Sequence, residues 1–295
     1  MVKNIDNEIR TVIPQLNRVW ARYAQTLLEK PGLLIADRED DLNWHAFLGH
    51  SLDMQGFRAA EFAGVDKLTR TTFRGFLPLN QRGIGVKELA SLWDVPGIRD
   101  HLLFGTKGAP LSATCQVLRG HGGSCGNALA DAFETFPWRR FHWSIRGLLQ
   151  NSAVLKQHQY SFRRWLQNEC TDLGVADFPP RDFKKTVTFN NRAMTLESAL
   201  CQRLQAEFYR VGPEIAPYML CDWQLWLWNE AKTDLFESFK LDSFHKEFIR
   251  RYGKGVIPMD KQGFVRWWHE QVGCEDFPPR LANECIWMGI QDRVV

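Results

Sequence analysis

The stretch Phe208–Gly253, FYRVGPEIAPYMLCDWQLWLWNEAKTDLFESFKLDSFHKEFIRRYG, carries the most specific pattern in the chain. Val-Gly-Pro at 211–213 predicts a tight turn, and the residues after it, EIAPYMLCDWQLWLW, repeat apolar side chains at helical spacing. A second helical pattern, SFHKEFIRRYG, follows Asp242 and ends in basic residues. The stretch therefore predicts a turn that leads into an apolar helix, followed by a carboxylate at the start of a basic helix.

The rest of the chain is also typical of a mostly helical protein. Apolar periodicity and helix stop signals predict helices over about 7–30, 42–63, 85–94, 124–135, 140–156, 160–171, 194–210, 214–229, 242–252 and 262–272. Strand alternation is scarce and repeated βαβ alternation is not visible, although a small parallel sheet stays open. We expect an all-α fold in one helical domain over residues 1–295. Within it we expect two lobes, about 1–40 with 160–295 and 41–159, with the active cleft between them.

Composition indicates an ordinary globular protein. The chain has 295 residues, 44% hydrophobic and 24% charged, and a net charge of +3, which is too small to mark a nucleic-acid binder by itself. Seven cysteines without a C-x-x-C pair favour reduced thiols over disulfides and argue against an ordinary zinc or iron–sulfur site. No apolar run reaches the roughly 20 residues that span a bilayer, and MVKNIDNEIR is not a signal peptide. We expect a cytoplasmic protein with no cofactor, no metal and no membrane partner.

The string DFPPR occurs twice, at Asp177–Arg181 and at Asp276–Arg280. Each copy follows a Trp-containing helical pattern, FRRWLQNEC in one case and FVRWWHEQV in the other. A proline pair ends a helix and presets the first turn of the next one. We therefore interpret both copies as the same helix-to-helix corner, and a duplicated nucleic-acid-binding unit is the alternative.

Glycine is concentrated in three places, RGIGVKELASL, LFGTKGAP and LRGHGGSCGN. Glycine turns and helix N-termini expose backbone N–H groups that bind phosphate, but none of the three has the Walker or Rossmann spacing. The densest, Leu118–Asn127, holds Arg119 and His121 and is a candidate active-site lid. Lys107, Arg119 and His121 are candidate phosphate or pyrophosphate ligands. The alternative is that the three glycine segments form ordinary turns and helix caps.

The stretch quoted first resembles the helix-hairpin-helix DNA glycosylase superfamily. There, a Gly-hydrophobic-Gly hairpin presents backbone N–H groups to a DNA phosphate, and an Asp at the start of the following helix faces the flipped nucleotide. The resemblance implies that Val211 and Gly212 form the hairpin turn and that Asp242 is the acidic residue. It also implies DNA contacts for His245 and for Arg250, which lies near the position of the helix Arg.

The same resemblance extends to an earlier segment and also shows departures. LGHSLDMQGFRAAEF, at 48–62, is similar to an early helix of that fold, with Gln55 as its inserted polar residue. The first hairpin glycine is replaced by Arg210, and the lysine of the Schiff-base enzymes is replaced by Glu214. The resemblance covers about a third of the chain and implies no lyase reaction.

The helix VGPEIAPYMLCDWQLWL is similar to a motif of the α-glutamyl/putrescinyl thymine pyrophosphorylase family, which is found in phages. That family implies transfer of an amino acid or polyamine onto activated 5-hydroxymethyluracil in DNA, with pyrophosphate as the leaving group. Tyr218 and Asp222 fall on its motif positions, alongside Gly212 and Ala216. This resemblance implies DNA and a small amine or amino-acid donor as partners, in the cytoplasm of a bacterial host.

The sequence therefore favours an enzyme that flips a modified pyrimidine and transfers an amine or amino acid onto it, with Asp242, Asp222 and Tyr218 as candidate catalytic residues. A carboxylate can deprotonate an incoming amine in a transferase or stabilise an oxocarbenium-like state in a glycosylase. Some of the 12 Trp and 20 Phe residues could stack on a flipped base. A DNA glycosylase, a non-enzymatic DNA-binding protein and a helical protein-interaction module are the alternatives. Structural alternatives also stand: Asp242 could cap its helix, and His245 could be a surface residue.

Overall fold

The computed structural model describes residues 84–105, 110–135, 141–180, 182–213, 215–217, 219–220, 241, 243–253 and 257–271, with Pro14, Arg18, Ile286 and Ile290 as single residues. Those from 84 to 220 belong to one compact unit, here the larger unit, and the others belong to the smaller unit. Helices account for 72% of the described residues and strands for 5%, so the prediction of an all-α fold is confirmed. The helix-hairpin-helix glycosylase fold and the division into lobes stay predictions.

The described part of the larger unit begins with a helix that packs on a later helix. Helix α1, Val86–Trp93, starts after Gly85, whose backbone N–H donates to Glu88 Oε2 at 2.9 Å. Its buried face, Val86, Leu89, Ala90 and Leu92, packs against α5, Phe141–Val154. Full burial of each large aliphatic side chain contributes about 1.5–3 kcal/mol. Helix α2, Pro96–Asp100, follows α1 and continues as a π-helical turn, His101–Gly105.

Two helices meet at a glycine corner. Helix α3, Leu111–His121, and helix α4, Gly123–Thr135, are separated only by Gly122. A Cβ on Gly126 would lie 2.2 Å from the Leu118 carbonyl oxygen, and one on Gly122 would lie 2.6 Å from the same oxygen. The glycines of RGHGGSCGN therefore let the two helices approach closely. The expectation of a flexible lid here is wrong, because 118–121 and 123–127 are helical.

Helix α5 continues as a 3-10 turn, Leu155–His158, and leads to α6, Phe162–Asp172. Ser161 caps α6 by accepting a hydrogen bond from the Arg164 backbone N–H at 3.0 Å. The inner face of α6 buries Phe162, Trp165, Leu166 and Cys170. This face forms the aromatic support for the turn described below.

A β-hairpin interrupts the helices, and the sequence predictions did not include it. Strand β1, Thr186–Phe189, pairs antiparallel with β2, Arg192–Thr195, with Val187 opposite Met194. Asn190 and Asn191 connect the strands with φ of 50° and 61°, the left-handed conformation of a two-residue hairpin turn. Helix α7, Leu196–Glu207, follows directly, with Thr195 Oγ1 accepting from the Ser198 N–H at 3.2 Å.

The first DFPPR copy does not connect two helices. It lies between α6 and β1, so the expectation that its proline pair starts a helix is wrong. The copy at 276–280 lies outside the described residues.

The smaller unit contains α8, Ser243–Phe248, continued by a π-helical turn, Ile249–Gly253, and α9, Lys261–Gln271. Phe248, Ile249, Phe264 and Trp268 are buried. In neither unit is a described helix long and apolar enough to cross a bilayer. The expected compartment stays a prediction.

Candidate functional site

The turn after α7 begins the stretch 208–253 and is one of its described parts. The Val211 N–H donates to the Phe208 carbonyl at 3.2 Å, and the Gly212 carbonyl accepts from the N–H groups of Ile215 and Ala216 at 3.1 and 3.0 Å. Residues 215–217 and 219–220 are helical. The predicted order of turn and helix is therefore present, with Gly212 at the helix start.

Arg210 keeps the backbone conformation that favours glycine. Its φ is +60°, in the left-handed region, where a residue with a Cβ pays about 1–2 kcal/mol. It stands where the hairpin pattern has its first glycine. Gly212, by contrast, has no positive φ, and a Cβ built on it meets no atom of the described residues within 4 Å. Open space beside the Gly212 backbone is compatible with the close approach of another molecule.

Asn151, on α5, fixes this turn from beneath. Its fully buried side chain accepts a hydrogen bond from the Tyr209 N–H at 2.7 Å and donates one to the Tyr209 carbonyl at 3.3 Å. The amide thus pairs with both backbone groups of one residue, as a neighbouring strand would. The loss of this side chain would remove the partner of both Tyr209 backbone groups at a part-buried position.

Two aromatic rings and two guanidinium groups lie together at the turn. The Tyr209 ring stacks near the Trp143 ring, with centroids 6.5 Å apart and planes inclined by 25°. Arg146 Cζ lies 4.1 Å from the Tyr209 centroid, and Arg210 Cζ lies 5.1 Å from the Trp143 centroid. Arg210 is exposed and the other three are half-buried. We call these four residues the ring–guanidinium surface.

This surface combines two positive charges with two planar aromatic rings. Each guanidinium lies within the distance at which an aromatic face attracts a cation. Burial raises the pKa of the Tyr209 hydroxyl, and the charges of Arg146 and Arg210 oppose that rise. The two arginines are therefore the charged groups of this surface.

An aromatic cluster supports the turn from the side of α6. The buried Phe208 ring meets the Trp165 ring edge-on at 5.2 Å, and the rings of Trp165 and Phe162 stack at 5.4 Å with planes 8° apart. The Trp165 indole N–H donates to Glu207 Oε2 at 2.7 Å. Phe208 is therefore anchored on a rigid apolar base, which fixes the direction in which Tyr209 and Arg210 leave the helix.

The candidate pyrophosphate ligands are not supported as a group. The Arg119 guanidinium donates to both Glu134 carboxylate oxygens at 2.8 and 2.7 Å and to Asp131 Oδ1 at 2.8 Å. A pyrophosphate at Arg119 would have to compete with these two carboxylates, and the role stays a prediction. His121 is exposed at the end of α3, where its ring lies against Gly97. Lys107 lies outside the described residues.

The candidate DNA-binding residues of the smaller unit differ from each other. His245 is fully buried on α8, so the interpretation of it as a surface residue is wrong, and its ring cannot reach a DNA phosphate without local opening. Arg250 is exposed by 72% and shares the Glu247 carboxylate with Arg251. An exposed ion pair of this kind contributes little to stability, so these arginines can exchange Glu247 for another anion.

The three candidate catalytic residues, Tyr218, Asp222 and Asp242, lie outside the described residues, as does Gln55. Their roles stay predictions. Within the described ranges, no group of three or more His, Cys, Asp or Glu side chains could hold a metal ion.

Sequence reasoning missed Trp143, Arg146 and Asn151. A signal for the first two was present, because PWRRFHWSIR, residues 137–146, interleaves basic and aromatic residues as nucleic-acid-binding segments do. Nothing local marks Asn151, whose partner Tyr209 is 58 residues away.

No family model, no curated protein and no solved structure matches the chain. The two family resemblances drawn from the sequence therefore stay predictions.

Proposed function

We propose that this protein binds DNA and modifies one of its bases. The observation that carries the DNA-binding part is the ring–guanidinium surface at the turn after α7. Two cations beside two aromatic faces suit a polyanion that also has flat apolar rings. A protein-interaction module would instead favour an exposed apolar patch.

The rigidity of the turn supports this assignment. Asn151 holds the Tyr209 backbone and the aromatic base holds Phe208, so Arg210 extends from a fixed position. Binding groups on a preorganised backbone lose less conformational entropy when a ligand is bound. Arg210 also keeps a strained backbone conformation where glycine would be relaxed. A cationic side chain in this conformation is consistent with a role for its charge.

For the chemistry, we propose group transfer onto a pyrimidine that carries an activated 5-hydroxymethyl group. The amine of the donor attacks the 5-methylene carbon, the bond to the pyrophosphate oxygen breaks, and a carboxylate takes the proton from the amine. Asp222 or Asp242 is the candidate base, and Tyr218 is a further candidate catalytic residue. This assignment rests on the sequence motifs alone.

The deciding experiment for the chemistry uses DNA that contains 5-hydroxymethyluracil pyrophosphate. The protein is incubated with this DNA and a mixture of amino acids and polyamines, and the digested nucleosides are measured by mass spectrometry. A heavier nucleoside that Asp222→Asn or Asp242→Asn fails to make would support transfer. A free base with an abasic site would identify a glycosylase, and unchanged DNA would leave a DNA-binding protein without this activity.

A further inference from the structure

The bases of duplex DNA could not stack on the rings of the ring–guanidinium surface. In a duplex both faces of every base are covered by the neighbouring bases, so a protein side chain reaches only base edges, sugars and phosphates. The half-buried rings of Trp143 and Tyr209 are inclined by only 25° to each other. Each is accompanied by a guanidinium group, whose plane also stacks on bases.

We infer that this surface binds an unpaired base of single-stranded DNA, with the ring faces stacking on the base and the arginines contacting the flanking phosphates. The inference rests on the proposed function and narrows it. Single-strand binding sites combine a cationic path for the backbone with aromatic platforms for the bases. In an enzyme that takes a base out of a duplex, such a surface would hold the strand open beside the reacting nucleotide.

The position of Arg210 agrees with base stacking by the rings and phosphate contacts by the arginines. Its left-handed backbone turns the chain immediately after Tyr209, so consecutive residues bring a ring and a cation to one surface. Arg146 lies one helical turn after Trp143 on α5 and donates from Nε to Gln150 Oε1 at 2.9 Å, which fixes the orientation of its guanidinium.

The test compares short labelled oligonucleotides of one sequence by fluorescence anisotropy: a DNA single strand, the fully paired duplex, a duplex with one bulged base, and an RNA single strand. We expect the DNA single strand to bind at least about 10-fold more tightly than the duplex, with the bulged duplex between them. Tyr209→Leu is expected to weaken single-strand binding by about 5- to 100-fold and to change duplex binding little. Tyr209→Phe keeps the ring and should bind like the wild type.

Trp143→Leu is the second variant, since it removes the other ring, which lies on α5 and not on the turn. Thermal unfolding of each variant shows whether it is folded. If neither single-stranded nor duplex DNA binds, the proposed function itself fails. If DNA binds but the duplex is preferred, or if both leucine variants bind the single strand normally, this inference is overturned while DNA binding stands. Tighter binding of the RNA strand would overturn the assignment to DNA.

Discussion

Replacing Glu169 with glutamine is expected to remove a pH-dependent loss of stability from the larger unit. Glu169, on α6, is only 5% exposed, and its Oε2 lies 3.2 Å from Arg203 Nε on α7. Neither of these two atoms has a hydrogen-bond partner among the described residues. The ion pair therefore has the distance of a salt bridge without the alignment of a hydrogen bond, and it offsets the burial of the carboxylate poorly.

The size of this loss of stability follows from the pKa of Glu169. Burial, with the nearby charges of Glu207 and Asp172, raises the pKa of Glu169 from 4.5 to about 7, and Arg203 opposes the rise. The folded protein therefore holds this proton more tightly than the unfolded chain does. The stability from the protonated group is fully present below pH 4.5 and is lost as the pH rises to about 7. At about 1.4 kcal/mol per pH unit, the loss is about 3 kcal/mol.

The assay is urea unfolding of wild type and Glu169→Gln at several pH values from 4.5 to 8. At the lowest pH the two proteins should have similar free energies of unfolding, because both carry a neutral side chain. By pH 8 the glutamine variant should be the more stable one by up to about 3 kcal/mol. A difference that does not change with pH, or a variant that is less stable at pH 8, would show that the Arg203 pair outweighs the cost of burying the charge.

Three further substitutions test the packing described above. Gly126→Ala should destabilise by about 1–3 kcal/mol or prevent folding, because its Cβ would lie 2.2 Å from the Leu118 carbonyl oxygen; an unchanged melting temperature would disprove the close approach. Ser161→Ala should lower the free energy of unfolding in urea by about 1 kcal/mol through loss of the cap on α6; an unchanged free energy of unfolding would contradict this role. Asn151→Ala should lower the free energy of unfolding by about 1–3 kcal/mol, since the turn loses both hydrogen bonds to Asn151. Trypsin should then cleave after Arg210 faster than in the wild type, and cleavage at the wild-type rate would contradict the role of Asn151.

Local sequence patterns predicted most of the described helices, because an amphipathic face and its caps are short-range properties. Helices α4, α5, α6 and α9 lie within a few residues of their expected positions. The hairpin was missed although TVTF-NN-RAMT carried the turn signal, since asparagine tolerates the left-handed conformation.

Other features depend on contacts that a sequence pattern does not contain. The glycines of RGHGGSCGN fit a phosphate loop and a helix crossing equally well, and only the position of the Leu118 carbonyl decides between them. His245 lies in a segment rich in charge and is nevertheless buried. The ring–guanidinium surface joins residues of α5 and of the turn that are more than 60 positions apart. The two α5 residues belong to a recognisable sequence pattern, but no local pattern predicts that they contact the turn.

Arg210 is the residue through which we propose that the turn after α7 contacts DNA, and a salt titration of DNA binding by Arg210→Gly tests this contact most directly. Glycine relaxes the left-handed backbone, so the variant should be as stable as the wild type or more stable by up to about 1 kcal/mol. Any loss of binding then reflects the missing cation. The matched control is Arg192→Gln, which removes the charge of an exposed arginine on β2.

We expect the dissociation constant of Arg210→Gly to rise and the slope of log affinity against log salt to decrease in magnitude by about 1, as for the loss of one phosphate contact. Arg192→Gln should bind like the wild type. Equal affinities and slopes for wild type and Arg210→Gly, or the same loss in both variants, would contradict the assignment of this turn to DNA binding.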